Sequence, residues 1–272
     1  MEEVPVRKPA VAGLFYPDRA DHVDAELSRL LEDDDLKVSP KALVVPHAGW
    51  RYSGQVAGAV YGRVTLPPLA VLLGPNHTGL GTWGSIMTRG RWAVPGAEVP
   101  LAHDLGQAIL TACQMLEEDE LAHSQEHALE VQLPFLRRIQ PELAFVPITL
   151  MRSDPAFCEE VGRAIARVVK AWPEPVALLS STDLNHYESQ AVSQAKDRAA
   201  IDAILALNPE RLQRTVREHR ISMCGIAPTT ALLVAVRELG AQKAELVRYM
   251  TSGEVSGDYE RVVGYCGIII AA

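Results

Sequence analysis

Hydrophobic positions along the chain fall into two alternating kinds of segment. Short runs rich in Val, Ile and Leu, bounded by Gly, Pro or Asn, predict strands that are buried on both faces of a sheet. Longer segments with apolar residues three or four apart predict amphipathic helices between those strands. The predicted strands are Ala42–Val45, Ala70–Leu73, Ser85–Thr88, Ala144–Leu150, Val176–Ser180, Ala244–Met250 and Val262–Ala271. The predicted helices are Arg19–Leu31, Gly54–Val64, His103–Leu116, Gln125–Ile139, Pro155–Ala171, Ser189–Leu207, Pro209–Arg217 and Thr229–Leu239.

This alternation predicts the fold class. Buried strands alternating with helices are typical of an α/β protein, with a central, mostly parallel or mixed sheet and helices on both faces. The sequence contains no internal repeat, low-complexity segment or long linker, so residues 1–272 are predicted to form one domain. The acidic run Asp33–Asp35 is interpreted as a solvated loop.

Composition and charge exclude several classes of function. Hydrophobic residues make up 48%, charged residues 22%, and the net charge is −8, as expected of a globular protein. An acidic chain without clustered Lys and Arg has no electrostatic site for nucleic acid. The apolar runs are too short to span a bilayer, and no basic amphipathic stretch favours a membrane surface. The first ten residues lack the apolar core of a secretory signal, so we expect a cytoplasmic protein whose four cysteines are free thiols.

Three histidines follow predicted strands at short distances. His47, His77 and His186 each stand a few residues beyond a strand end, beside Gly, Pro or Asn residues that favour tight turns. Because sites in open α/β sheets form where strands end, this repeated context predicts a shared site. Neutral imidazole is a common ligand of transition metals, so a metal is the predicted occupant. The pattern alone does not assign a role to each histidine.

The segment that begins at His123 allows a second interpretation. His123, Glu126, His127 and Glu130 lie near the start of the predicted helix, and residues 123–127 match H-x-x-E-H, the inverted zinc-protease pattern. Histidines four residues apart share a helix face, so joint metal binding is geometrically possible. The pattern is short, however. The favoured interpretation is an ordinary helix start whose acidic residues complement the helix dipole.

Cys224 is the cysteine with the most functional context. It lies in a turn that leads into the predicted helix Thr229–Leu239, and a helix N-terminus favours the thiolate form. Cys113 and Cys266 lie in apolar segments and are interpreted as core residues. The residues after His47, which are Trp50, Arg51 and Tyr52, either wall a pocket or pack in the interior.

Seven motifs occur in a characteristic order. They are RKPAVAGLFYP at Arg7–Pro17, PHAGWRYSG at Pro46–Gly54, GPNHTG at Gly74–Gly79, EHALEVQLPFL at Glu126–Leu136, STDLNHY at Ser181–Tyr187, CGIAP at Cys224–Pro228 and TSGEVSGD at Thr251–Asp258. In this order they resemble the Memo family, also known as protein B of the AmmeMemoRadiSam system. The resemblance covers nearly the whole chain.

The resemblance implies a fold and a set of site residues. The Memo family shares the fold of the class III extradiol dioxygenases, which are non-haem iron enzymes that open catechol rings. His186 would occupy the position of their acid/base histidine. The residues that the resemblance implies at the pocket are the metal ligands His47, His77 and Cys224 and the catalytic candidates His186, Asp183 and His127.

The implied ligand set departs from that of the dioxygenases. Those enzymes hold iron with two histidines and a carboxylate, whereas Cys224 replaces the carboxylate here, so ring cleavage does not carry over. Iron is the expected metal, and copper or zinc also suit such ligands. The resemblance therefore implies a metal-dependent, redox-related protein that acts on an unknown small molecule. The alternative is a non-catalytic module that binds a peptide or phosphopeptide in the same pocket. Possible partners are the AMMECR-type and radical-SAM proteins of the same system.

Overall fold

The computed structural model describes residues 5–32 and 37–272, and within these residues the chain forms helices and strands in alternation. The acidic run at residues 33–35 lies outside the described residues. The helices are α1 Ala20–Leu30, α2 Trp50–Tyr61, α3 His103–Ala112, α4 Leu121–Ser124, α5 Leu133–Ile139, α6 Pro155–Ala171, α7 Gln190–Leu205, α8 Pro209–Glu218, α9 Ile226–Glu238 and α10 Gly253–Ser256. The strands are β1 Val6–Arg7, β2 Ala42–Val45, β3 Leu69–Pro75, β4 Gly84–Ile86, β5 Arg91–Val94, β6 Ala97–Pro100, β7 Glu117–Glu118, β8 Ala144–Leu150, β9 Val176–Ser181, β10 His186–Glu188, β11 Lys243–Thr251 and β12 Val262–Ala271.

The main sheet has a parallel centre and antiparallel flanks. Among the described residues its strand order is β10-β12-β2-β9-β3-β8-β4-β7, with β11 also paired to β12. The four central strands β2, β9, β3 and β8 run parallel. On one side β12 is antiparallel to β2, and on the other β4 is antiparallel to β8. The predicted α/β fold with a mixed sheet is therefore confirmed.

Alternate residues of the central strands pack into two apolar layers. In β2, Ala42 and Val44 face the layer formed with α3, α6, α7, α8 and α9, while Leu43 and Val45 face the layer formed with α1, α2 and α5. Both faces of the sheet are thus covered, which explains why these strands are continuous hydrophobic runs. Burying one such side chain stabilises the fold by roughly 1.5–3 kcal/mol. Within the described part of the chain, no helix has both the length and the apolar character that a membrane crossing requires.

A small second sheet was not predicted. Strands β1, β5 and β6 form it, with β1 parallel to β5 and β5 antiparallel to β6. The turn between β5 and β6 contains Gly96 at φ 83°, a left-handed conformation that favours glycine. These strands are short, and only Trp92 is a large, fully buried side chain among them, so no long hydrophobic run marks them in the sequence.

The predicted helix Gln125–Ile139 is wrong in its first half. Helix α4 ends at Ser124, residues 125–129 form an irregular stretch and a turn, and α5 starts only at Leu133 after a 3₁₀ turn. The carboxylates of Glu126 and Glu130, interpreted from the sequence as complementing a helix dipole, are buried and accept hydrogen bonds from distant segments. These contacts replace the backbone bonds of a regular helix.

Candidate metal centre

The candidate site lies at the carboxyl ends of three adjacent parallel strands. His47 follows β2, His77 follows β3, and Asp183 follows β9, which lies between the other two. Parallel strands bring their carboxyl ends to one edge of the sheet, so three segments far apart in sequence converge there. This edge is where the three-histidine pattern predicted a shared site.

Two of these segments and the turn before α9 bring three possible ligands together. The rings of His47 and His77 lie 5.1 Å apart between centroids, and the Cys224 sulfur is 3.2 Å from Nε2 of His47. One ligand atom from each of the three residues lies within 4.8 Å of the others. This spacing is close to that needed for bonds of about 2.0–2.3 Å to a single ion.

Hydrogen bonds determine which ring nitrogen of His47 carries the proton. Its Nδ1 is 3.0 Å from the Ser181 hydroxyl, which donates its own proton to the Ala128 carbonyl at 2.7 Å and accepts from the Gln132 amide at 2.9 Å. Because the single hydroxyl proton is already used, Nδ1 of His47 must be the donor to Ser181. Nε2 is therefore the unprotonated nitrogen, and it faces the Cys224 thiol.

Glu126 orients His77 in the same way. Its carboxylate accepts hydrogen bonds from the backbone N–H of His77 at 2.5 Å, from Nδ1 of His77 at 2.9 Å and from the N–H of Ala128 at 2.9 Å. Burial raises the pKa of Glu126, but these donors and the charges of His77 and His127 outweigh burial, so the pKa falls to about 2. An ionised Glu126 keeps the proton on Nδ1 of His77 and leaves Nε2 available for a metal.

A close backbone approach places Cys224. Gly225 lies so near β9 that a Cβ atom there would come within 2.3 Å of Cβ of Thr182. The N–H of Gly225 donates to the Thr182 hydroxyl at 3.0 Å, and the N–H of Asp183 donates to the Cys224 sulfur at 3.2 Å. A glycine after the cysteine is therefore needed to bring the thiol against the end of β9.

The expectation of a readily ionised thiol at Cys224 is wrong for the metal-free protein. Burial of the sulfur, followed by the charge of Asp183, raises the pKa of Cys224 well above its ordinary value. The helix N-terminus near Ile226 does not offset these two effects. The neutral thiol instead donates to Nε2 of His47, so a bound metal would have to displace a proton.

Burial keeps the ring of His47 neutral. Loss of solvation, followed by the charge of His77, lowers the pKa of His47 to about 3. Burial and the charge of His47 likewise lower the pKa of His127 to about 4. Both rings are therefore uncharged near neutral pH, which is the form that binds a metal or accepts a proton.

Of the three predicted catalytic residues, His127 and Asp183 contact the possible ligands. The His127 ring stacks on His77 at 4.6 Å between centroids and lies 5.4 Å from His47. Asp183 is buried, and its Oδ1 accepts the backbone N–H of His47 at 2.8 Å. Burial lowers the pKa of His47 and raises that of Asp183; the charge of His186 adds to the first shift and opposes the second. His186 starts β10, five residues after the end of β9, and so belongs to the same end of the sheet.

A buried ion pair holds the loop that carries Glu126 and His127. Glu130 pairs with Arg7 at 2.6 Å and also accepts the hydroxyl of Tyr16 at 2.9 Å. Arg7 in turn donates to the backbone carbonyl of Glu126 at 2.7 Å. Arg7, Tyr16 and Glu130 were not predicted to support the site, because their contacts join segments more than one hundred residues apart.

The inverted zinc-protease pattern is not formed as a site. His123 is fully buried beside Trp92, at 5.6 Å between ring centroids, whereas His127 stacks on His77. Within the described residues, the second group able to hold an ion combines His77, Glu126 and His127, without His123. Since Glu126 already accepts hydrogen bonds from His77, we interpret this group as support for the first one.

Comparison with known proteins extends over almost the whole chain. The family model described as Memo-like protein matches residues 7–269. A MEMO1 family protein of Methanopyrus kandleri is 39% identical over 277 residues, covering 97% of this chain and 98% of the relative. The chain belongs to the Memo family. MEMO1 family proteins of Aquifex aeolicus and Thermotoga petrophila are 38% and 37% identical, each over 97% of this chain and 98% and 99% of their own lengths.

Among solved structures, an uncharacterised protein of Escherichia coli K12 aligns with 84% of this Memo-family chain and 98% of its own. Its TM-score is 0.48 and its sequence identity is 13%.

Proposed function

We propose that this Memo-family protein binds one transition-metal ion through His47, His77 and Cys224 and uses it in redox chemistry on a small molecule, with iron as the first candidate. The observation that carries the proposal is the set of hydrogen-bond partners of the two Nδ1 atoms, from which the proton positions follow. Ser181 and Glu126 hold the protons of His47 and His77 on Nδ1, and the two Nε2 atoms are left as ligands. Histidines that bind metals in proteins are oriented by such partners.

The donor set fits a transition metal. Two neutral imidazoles and one thiolate suit iron, zinc or copper, and they suit magnesium or calcium poorly. Three protein ligands leave coordination positions open, as catalytic metal sites require. When bound, a redox-active ion would supply one-electron chemistry to a ligand at an open position.

The surrounding residues supply proton transfer and orientation. The ring of His127 has a pKa of about 4 and lies 3.4 Å from Glu126 through Nδ1, so it is neutral near pH 7 and can accept a proton. His186 donates from Nδ1 to the Ser222 carbonyl at 2.8 Å, and its Nε2 is likewise free to accept. Asp183 holds the turn of His47 through the backbone. These are the roles that general acid/base catalysis needs beside a metal.

A peptide-binding module is the less supported alternative. Such a module needs aromatic and basic groups at the rim of the pocket, and the sequence suggested Trp50 and Arg51. Trp50 is buried, and its indole N–H donates to the Val131 carbonyl at 3.1 Å. Of the two residues, only Arg51 is exposed.

Metal analysis of protein purified without oxygen tests the proposal. About one iron or copper ion per chain, lost in His77→Ala but kept in the surface control His103→Ala, is the expected result. One zinc ion that iron(II) cannot replace would contradict the redox part of the proposal. Protein that stays metal-free after incubation with iron(II), copper(I) and zinc would contradict the metal site altogether.

A further inference from the structure

The loop that carries His186 is held by one buried side-chain amide. Asn185 is fully buried, and its Nδ2 donates to Glu188 at 2.7 Å and to the Ser193 hydroxyl at 3.1 Å. Its Oδ1 accepts from the backbone N–H of Ser222 at 3.1 Å and from the Ser222 hydroxyl at 3.2 Å. Both donors and both acceptor positions of the amide are therefore in use.

Ser222 in turn contacts His186 at two points. Its hydroxyl accepts the backbone N–H of His186 at 2.8 Å, and its carbonyl lies 2.8 Å from Nδ1 of the ring. A carbonyl can only accept, so the proton of a neutral His186 lies on Nδ1 and Nε2 is the free acceptor. Ser222 also precedes Cys224 by two residues. The same amide thus reaches both His186 and the turn of the cysteine ligand.

A buried carboxylate prevents Asn185 from moving. Asp197 accepts the backbone N–H of Asn185 at 2.8 Å and the hydroxyl of Tyr249 at 2.7 Å. Gly264 of β12 packs directly on this carboxylate, since a Cβ atom there would lie 1.9 Å from Oδ2. The N–H of Gly264 also donates to the carbonyl of Asn185 at 3.0 Å. Asn185 is therefore held between α7 and β12.

We propose that Asn185 is a positioning residue, which acts through Ser222 to hold His186 in the tautomer whose free nitrogen is Nε2. The inference rests on the proposed function only in giving His186 a role in proton transfer. Replacement of the amide would remove the acceptor of Ser222, and the Ser222 carbonyl would no longer be held opposite Nδ1. Without the Ser222 carbonyl as a partner, the ring proton of His186 can move from Nδ1 to Nε2. Nε2 would then no longer be able to accept a proton at the site.

A general structural role of Asn185 predicts a different outcome. If the amide only stabilised the fold, loss of its Ser193 contact would affect His186 as much as loss of its Ser222 contact. Ser193→Ala removes one partner of Nδ2 and leaves Oδ1 bonded to Ser222. Asn208→Ala is the control, because it removes an amide that is not part of this buried network. The side chain of Asn208 caps α8 by accepting the N–H of Arg211 at 2.7 Å.

The test is the ¹⁵N NMR spectrum of the His186 ring, assigned by its absence in His186→Gln and recorded on metal-free protein at alkaline pH. Wild type, Ser193→Ala and Asn208→Ala should show Nδ1 protonated and Nε2 unprotonated. Asn185→Ala should lose this pattern and show proton density shifted to Nε2. An unchanged spectrum in Asn185→Ala, or the same shift in Ser193→Ala, would overturn the proposal.

Two further choices keep the result interpretable. If Asn185→Ala does not fold, Asn185→Ser replaces it, because serine also lacks the amide oxygen that accepts from Ser222. An unchanged ring spectrum there would also overturn the proposal. The measurement uses no metal, so it is independent of metal binding. Failure of the wild-type protein to bind metal would refute the proposed function and leave the tautomer result standing.

Discussion

Replacement of Glu126 by glutamine should weaken metal binding without touching a ligand. The carboxylate accepts the backbone N–H and Nδ1 of His77 and the N–H of Ala128, and it lies 3.4 Å from Nδ1 of His127. Glutamine has the same size but one acceptor oxygen, and its NH₂ group would face a donor. We expect metal affinity to fall about 10- to 100-fold, the usual cost of losing such a partner. This corresponds to about 1.4–2.7 kcal/mol of binding free energy.

The same substitution has a defined pH signature in the metal-free protein. The pKa of Glu126 is lowered to about 2, so its contribution to stability is present above pH 4.5 and is lost as pH falls through 2. Glu126→Gln should therefore be less stable than wild type at pH 7 and approach it near pH 2. Affinity is measured by competition with a chelator, and stability by urea unfolding at each pH. The matched control is Glu118→Gln, since Glu118 accepts a backbone N–H and a hydroxyl from Thr88 but contacts no histidine. Equal metal affinity in Glu126→Gln and wild type would refute the orienting role.

Three further predictions concern protons and packing. Metal binding at pH 7 should release about one proton, because the pKa of the Cys224 thiol is raised whereas His47, with a pKa of about 3, is already neutral. Calorimetry in buffers of different ionisation heat measures the number of protons released. Release of no proton would argue against the thiol as a ligand. Burial raises the pKa of Asp197 to about 6, so the folded state binds more protons than the unfolded state between pH 3.8 and 6. The free energy of unfolding should therefore fall by about 3 kcal/mol as pH rises through that window. Urea unfolding should show this slope in wild type, and a slope that persists in Asp197→Asn would contradict its assignment to Asp197. Gly225→Ala should cost about 1–3 kcal/mol of stability and most of the metal affinity, because the added Cβ would overlap Thr182. Thermal unfolding and metal titration that match wild type would show that the close approach of Gly225 to Thr182 is not needed.

Local patterns in the sequence are sufficient to predict most of the strands and helices. The bounds of β2, β8 and β12 agree with the predicted runs Ala42–Val45, Ala144–Leu150 and Val262–Ala271, and α6 agrees with Pro155–Ala171. A strand buried on both faces needs a continuous apolar run, and a helix such as α6 is marked by a capping Asp154 followed by proline. The positions of His47 and His77 at strand ends follow from the same local rules.

Tertiary structure decides the chemistry of the site. No local pattern predicts that Glu126 leaves a helix and binds His77, 49 residues away, or that Ser181 determines the proton position on His47 across 134 residues. The acidity of Cys224 was predicted wrongly for the same reason, since the helix terminus is a local feature whereas burial and Asp183 come from the fold. The hydrophobic period along a strand or helix depends on neighbours in sequence. Proton positions and pKa values depend on solvent exclusion and on partners that only the folded chain brings together.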